Sequence, residues 1–277
     1  MLIPPDAFII ELTNQLGKNS VLINSEDLSP YLKDERGLWE SDCSLVVLPA
    51  TTEEISKTVK LCVKYHVTVV PLGGNTGLVG GGIASGGVIL SMERLNNIIH
   101  VDSMNHTMTV EAGCILANIQ DAAEEAGCLF PLSLGAEGSC QIGGNVSTNA
   151  GGLNVLRYGM MRQLVLGLEV VLPDGRLWNG MHALHKDNRG YDLKQLFIGA
   201  EGTLGFSGPI AEIQSGSHGN IRGQRRLYPD GGCAFPTGEG LKVAISNGLI
   251  EGWVFLQDAP QGASTTGGAH PFIDTSR

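Results

Sequence analysis

Apolar residues recur at helical spacing over residues 7–16, and Gly17 follows where such a helix would stop. An apolar run at 44–49 predicts a strand. Thr51 or Thr52 can then cap a helix in which Ile55, Val59, Cys62 and Val63 share one face. The β-branched stretch 67–72 reads as a strand running directly into a glycine loop, and shorter strands are predicted at 88–91 and 108–111. Ile115, Ile119, Ala122, Ala123 and Ala126 make the apolar face of a second helix that Gly127 can end. A strand returns at 164–172. Pro173, Asp174 and Gly175 supply a turn, and 176–178 begin its partner. Helices and strands are short and mixed, without the regular alternation of a doubly wound sheet. The predicted class is α+β.

Two regions lack this periodicity. Residues 129–152 are dense in Gly, Ser and Asn, as though most of the stretch lay along something else. Residues 206–277 are again rich in glycine, with polar clusters, and only 241–256 offers a plausible folded segment. The expected organisation is a helical lead-in at 1–38, a central domain at 39–205 and a divergent tail at 206–277.

Composition narrows the function. The 277 residues carry a formal net charge of −10, whereas binding nucleic acid broadly needs clustered Lys and Arg. No apolar run reaches the roughly 18 residues that a membrane helix requires. Residues 1–12 hold Asp6 and Glu11 but no Lys or Arg, so neither a secretory signal nor a transit peptide is read there, and a cytoplasmic chain is expected. Six scattered cysteines without a CxxC pair read as reduced core thiols. Glycine is the outlier, with 39 residues where an ordinary protein has about 7%.

The positions of those glycines carry the chemistry. Pro71-Leu72-Gly73-Gly74-Asn75-Thr76-Gly77-Leu78 follows a strand, and successive glycines let consecutive N–H groups converge on an anion such as a diphosphate. A tight turn between strands is the alternative. The loop is neither a GxGxxG fingerprint nor a P-loop. The second stretch runs from Leu132 through Gly135, Gly138 and Ser139 to Gly143-Gly144-Asn145 and Thr148-Asn149-Ala150-Gly151-Gly152. It reads as the lining of an extended polar cofactor, or as a glycine-rich loop packed on itself. In the third, Gly199-Ala200-Glu201-Gly202-Thr203-Leu204-Gly205, Glu201 orders the loop or accepts a ribose or adenine hydrogen bond.

In this order and spacing the three segments resemble the FAD-binding domain of the vanillyl-alcohol oxidase/p-cresol methylhydroxylase superfamily. Within it they are similar to the D-lactate, glycolate and D-2-hydroxyglutarate dehydrogenase branch. The resemblance runs from about Trp39 to Gly205 and includes Gly190-Tyr191-Asp192-Leu193-Lys194. It implies two small α+β subdomains with FAD between them. Pro71 and the loop Gly73, Gly74, Asn75, Thr76, Gly77 and Leu78 would wrap the diphosphate. Leu134, Gly135, Gly138 and Ser139 would follow the cofactor toward its ribityl chain and ring. Gly143, Gly144, Asn145, Thr148, Asn149 and Gly152 would lie beside the diphosphate and isoalloxazine, with Glu201, Gly202 and Leu204 near the adenosine end. Asn75 stands where some relatives carry a flavin-linking histidine, so the resemblance implies non-covalent FAD.

The implied reaction is hydride transfer from the α-carbon of a small D-2-hydroxy acid to the flavin, with electrons passed on to an acceptor. Family members hold substrate and metal on a further domain through an HxGDGNxH-type segment. Here only His218-Gly219-Asn220 echoes it, so the catalytic residues are left unassigned. The break in pattern at Phe206 suggests a shifted reading frame or a truncated gene. A flavin-binding module without turnover is therefore a competing expectation. The peptidoglycan-precursor reductases, which use NADPH on the same scaffold, are a more distant one. His182 and His185 lie three apart without a recognisable metal pattern, and no metal is expected. His66, His100 and His106 read as structural, and Cys140 as a small buried side chain rather than a nucleophile.

Overall fold

The computed structural model describes residues 3–184, 186–214 and 216–217. His185, His218 and the segment 241–256 lie outside the described residues.

Helix α1 (Asp6–Leu16) buries Phe8 and Leu12 and ends at Gly17, whose φ of 87° needs the missing side chain. A short turn leads to β1 (Val21–Leu22) and α2 (Ser25–Leu32). The sequence pattern gave no sign of α2: Leu28 is its one buried side chain and Pro30 interrupts it. After β2 (Val46–Val47) comes α3 (Thr52–Tyr65). The Thr51 hydroxyl accepts from the Glu54 N–H at 3.2 Å, and the Glu54 carboxylate accepts from the Ala50 N–H at 2.7 Å. Such a cap stabilises a helix start by about 1 kcal/mol. Ile55, Val59 and Cys62 are buried as expected, whereas Val63 turns outward and is 51% exposed. β3 (Val69–Leu72) and β4 (Val88–Ser91) complete a sheet of order β1-β2-β4-β3, parallel except for the antiparallel β1/β2 pair. Because Val21 pairs with Val47, the N-terminal segment is part of this layer, not a separate lead-in.

The second layer starts with the hairpin of β5 (Ile98–Asp102) and β6 (Thr107–Glu111). Helix α4 (Leu116–Glu125) buries Leu116, Ile119 and Ala123, and β7 (Cys128–Leu129) follows. Within the glycine-rich stretch the chain coils into α5 (Ile142–Ser147), then α6 (Val155–Tyr158) and α7 (Met161–Leu164). β8 (Leu168–Val171) and β9 (Leu177–Gly180) form an antiparallel pair, and α8 (Lys194–Phe197) comes next.

The fold does not stop at residue 205. β10 (Phe206–Ser207) pairs with β8, and β11 (Pro209–Gln214) pairs antiparallel with β6. Pro209 hides this strand in the sequence. At the first position of a strand, however, its missing N–H costs little.

Each layer has its own core. Phe8, Leu12, Val47, Ile55, Val59, Val88 and Leu90 pack in the first; Val110, Leu116, Ile119, Phe130, Ile142, Leu168 and Val170 pack in the second. The alternation of β8 serves both, since Val171 joins the first core. This is the expected pair of α+β halves. Cys43, Cys62, Cys114, Cys128 and Cys140 are buried free thiols. Burial pushes Cys62 up to about 12 and Cys114 up to about 11.

Candidate cofactor site

β3 delivers its last residue, Leu72, into the first glycine loop, and α5 lies against that loop. Between them opens a cleft of about 420 Å³. Its walls include Pro71, Gly73, Gly74, Asn75, Thr76, Gly77 and Leu78 from the first segment, Gly143, Gly144, Asn145 and Thr148 from the second, and Glu201 and Gly202 from the third. Segments 130 residues apart in sequence thus meet in one place. They are tied by backbone bonds: Gly199 N–H donates to Val146 O at 3.1 Å, and Glu201 N–H to Ser147 O at 2.9 Å.

The remaining residues named from sequence lie off this lining. Gly135, Gly138 and Ser139 are exposed, Leu204 is half exposed, and the Leu134 N–H is held by the Glu137 carboxylate at 3.0 Å. Asn149 accepts from the Arg162 N–H at 3.0 Å. Gly152 packs so tightly that a Cβ there would meet Ser133 O at 2.1 Å.

The glycines of the cleft fall into two kinds. A Cβ on Gly74 would meet Ser139 O at 2.1 Å, and one on Gly143 would meet the Ala112 Cβ at 2.8 Å, so these two let backbones touch. A Cβ on Gly77 or Gly144 would meet nothing within 4 Å. Those two keep open space beside the chain. Among the described residues, no protein group accepts from the N–H groups of residues 73–78, or from that of Gly144. An unpaired row of main-chain donors suits a polyanion. Among the described residues the walls hold no Lys, Arg or His, so the anion would be met by backbone dipoles. The residues present therefore fit a dinucleotide such as FAD.

Sequence reasoning missed several residues of the site. Asp34, Met92, Ala112, Gln141, Ser147, Phe206 and Ser207 also line the cleft. Asp34 sits in the turn after α2, where the N–H groups of Trp39 (2.8 Å) and Arg36 (3.3 Å) hold its carboxyl below the ordinary carboxylate range. The same turn grips the glycine loop. Asn75, in the left-handed region at φ 54°, donates from Nδ2 to Lys33 O at 2.6 Å, and the Trp39 ring lies 3.1 Å from where a Cβ on Gly80 would stand. A distance of some forty residues hid this partnership. Gln141 carries one local signal: a buried polar residue at a helix start whose side chain makes no cap bond.

Cys140 lines the cleft, but burial raises its thiol and Sγ donates to Asn145 Oδ1 at 3.6 Å, so it is no thiolate nucleophile. A second hollow of about 220 Å³ lies over residues 178–194. There the Arg189 guanidinium grips Asp187 and holds that carboxyl well below the usual range, with His182 Nε2 at 3.8 Å. Among the described residues no His, Cys, Asp and Glu cluster could hold a metal ion, and no helix is long and apolar enough to cross a membrane.

Known proteins agree with the cleft. A sequence family described as an FAD binding domain matches residues 43–180. A probable mitochondrial D-2-hydroxyglutarate dehydrogenase of Oryza sativa subsp. indica is 47% identical over 197 residues, which is 71% of this chain and 35% of that protein. The mitochondrial D-2-hydroxyglutarate dehydrogenase of Danio rerio is 51% identical over 167 residues, 60% of this chain and 31% of that one. A D-2-hydroxyglutarate–pyruvate transhydrogenase of Saccharomyces cerevisiae is 43% identical over 191 residues, 68% and 38% of the two chains. The chain therefore spans about a third of the length of these curated relatives. A solved alkyldihydroxyacetonephosphate synthase shares the fold, with a TM-score of 0.67 at 21% identity over 78% of this chain and 41% of its own.

One expectation is overturned. Relatives from rice, Danio rerio, Bos taurus and Arabidopsis thaliana are named as mitochondrial, which counts against a cytoplasmic chain. An import segment lies outside the folded domain and is removed from it, so the charge and packing of the domain carry no record of the compartment. Residues 43–180 match the FAD binding domain family, and the cofactor of this domain is FAD.

Proposed function

We propose that the chain is the FAD-holding part of a dehydrogenase that oxidises a small D-2-hydroxy acid, of the kind its D-2-hydroxyglutarate and D-lactate relatives are named for. The observation that carries this reading is the cleft itself: a loop at residues 73–78 whose N–H groups have no acceptor among the described residues lines open space that Gly77 and Gly144 preserve. When bound, FAD would supply a two-electron acceptor for the hydride of the α-carbon, the hydroxyl proton leaving to a base, so that the 2-hydroxy acid becomes the 2-oxo acid. The chain's own residues bind and orient. Backbone donors meet the diphosphate, and the turn holding Asp34 and Trp39 keeps the loop in shape. The electrons then leave for an acceptor outside this domain. The mitochondrion, the compartment named for the relatives, is the one this reading adopts.

FAD is held without a covalent bond, because Asn75 carries an amide engaged with Lys33 O. Acid precipitation of flavin-loaded protein is expected to leave all the flavin in the supernatant; yellow protein in the pellet would contradict this.

A second reading, a flavin module without turnover, is favoured by one observation. The described lining offers no cation to take a substrate carboxylate. Anaerobic mixing of the FAD-loaded chain with D-2-hydroxyglutarate, D-lactate or glycolate separates the two. Bleaching of the visible flavin band supports the dehydrogenase. An unchanged spectrum with FAD bound supports the module.

A further inference from the structure

Gln141 has a role that its position in the helix does not explain. It occupies the cap position of α5, where Ser, Thr, Asp or Asn would satisfy the first N–H groups, yet its side chain makes no cap bond. It is 9% exposed, and its Oε1 is buried with no hydrogen-bond partner. A buried amide oxygen left unpaired is costly, and native structures keep such atoms rarely and for a reason. Gln141 also stands at the seam of the cleft. Its Oε1 and Cβ lie 3.6 and 3.7 Å from where a Cβ on Gly73 would be, and its backbone N lies 3.1 Å from the corresponding point on Gly74.

We propose that Gln141 is a cofactor ligand whose side-chain oxygen accepts a hydrogen bond from a hydroxyl or ring N–H of FAD. The unpaired atom is the oxygen, an acceptor, so its match is a donor of the cofactor rather than a phosphate, whose oxygens accept. Gln141 lines the cleft, and its terminal amide torsion is broad, so rotation about it can turn the oxygen toward a bound cofactor without moving the backbone. This rests on the FAD reading of the cleft and adds to it a neutral acceptor among donors. The cleft thereby distinguishes a dinucleotide from a bare polyphosphate.

The test compares the chain with Gln141→Leu, which fills similar space without an acceptor, reading FAD affinity by flavin fluorescence and flavin-free stability by thermal melting. Leu is expected to raise the FAD Kd about tenfold, the size of one hydrogen bond. The flavin-free melting temperature should stay level or rise, because an unpaired buried oxygen is gone. A structural role would move it down. Titration with FMN and with ADP then locates the donor: a weakening confined to FMN or to ADP assigns it to that half, and either supports the proposal. Equal FAD affinity in the two proteins overturns it. Failure of the unsubstituted chain to bind FAD would instead sink the cofactor reading itself. Should Leu prevent folding, Gln141→Met gives the same comparison with a more adaptable side chain.

Discussion

The first glycine loop and the second glycine-rich stretch look alike on paper but use glycine for opposite ends. The loop at 73–78 lines the cleft, and among the described residues nothing accepts from its main-chain donors. In the second stretch, Gly144 apart, donors turn inward: Ile142 N–H donates to Cys114 O at 2.9 Å, Gly143 N–H to Ala112 O at 2.7 Å, and Ala150 N–H to Asn145 O at 2.8 Å. The missing side chain of Gly143 brings α5 against the segment that follows β6. One region presents the ligand surface and the other fixes where that surface stands. Glycine content alone does not separate a binding loop from a packing one; the fate of each N–H does.

Adjacent residues of α5 put this contrast to its hardest test. Gly143→Ala would place a Cβ 2.8 Å from the Ala112 Cβ and 2.9 Å from Ala112 O. We expect a loss of about 2–3 kcal/mol in denaturant melts, as for other overpacked sites. Gly144→Ala, one residue on, meets nothing within 4 Å. Helix propensity there favours alanine by up to about 1 kcal/mol, so the flavin-free protein should hold or gain stability while FAD binding weakens. Two variants that destabilise alike would erase the distinction. A loop-one counterpart sharpens it: Gly77→Val should leave stability within about 0.5 kcal/mol and raise the FAD Kd by roughly tenfold, about 1.4 kcal/mol, measured by flavin fluorescence.

The sequence made the local parts of this architecture legible. A helix with Ile55, Val59 and Cys62 on one face, or a strand ending in a glycine loop, declares itself within a dozen residues. What it concealed were features held by distant partners. Helix α5 could not be read because glycine is a poor helix former, and bonds from Ile142 and Gly143 to the segment at 112–114 hold its first turn instead. β11 was masked by Pro209. The loop residues stand on the cleft wall, whereas Asp34 and Trp39 escaped because nothing in their own neighbourhood refers to residues 75 and 80. Asn149 and Gly152 sat in a convincing motif, yet their bonding serves the packing side of the contrast.

The smallest effect concerns how the N-terminal turn steadies loop one. The Asp34 carboxylate accepts from Trp39 and Arg36, and the turn it shapes presents Lys33 O to Asn75 and the Trp39 ring to Gly80. Asp34→Ala should therefore weaken FAD binding several-fold and lower the melting temperature modestly, because its buried carboxylate also holds two N–H groups of the folded turn beside the cluster of Leu28 and Leu32. The pH dependence has a fixed sign. The folded carboxyl titrates below its ordinary value, so its contribution is complete above the unfolded pKa of about 3.9. That contribution is lost as pH falls through the lower folded value. Flavin affinity of the unsubstituted chain should accordingly stay flat from neutral pH down to about pH 5 and drop only in stronger acid, a drop that Asp34→Ala lacks. If the variant binds FAD as tightly as its parent and shares the same acid profile, loop one holds its own shape, and the grip of the N-terminal turn on the cleft is incidental.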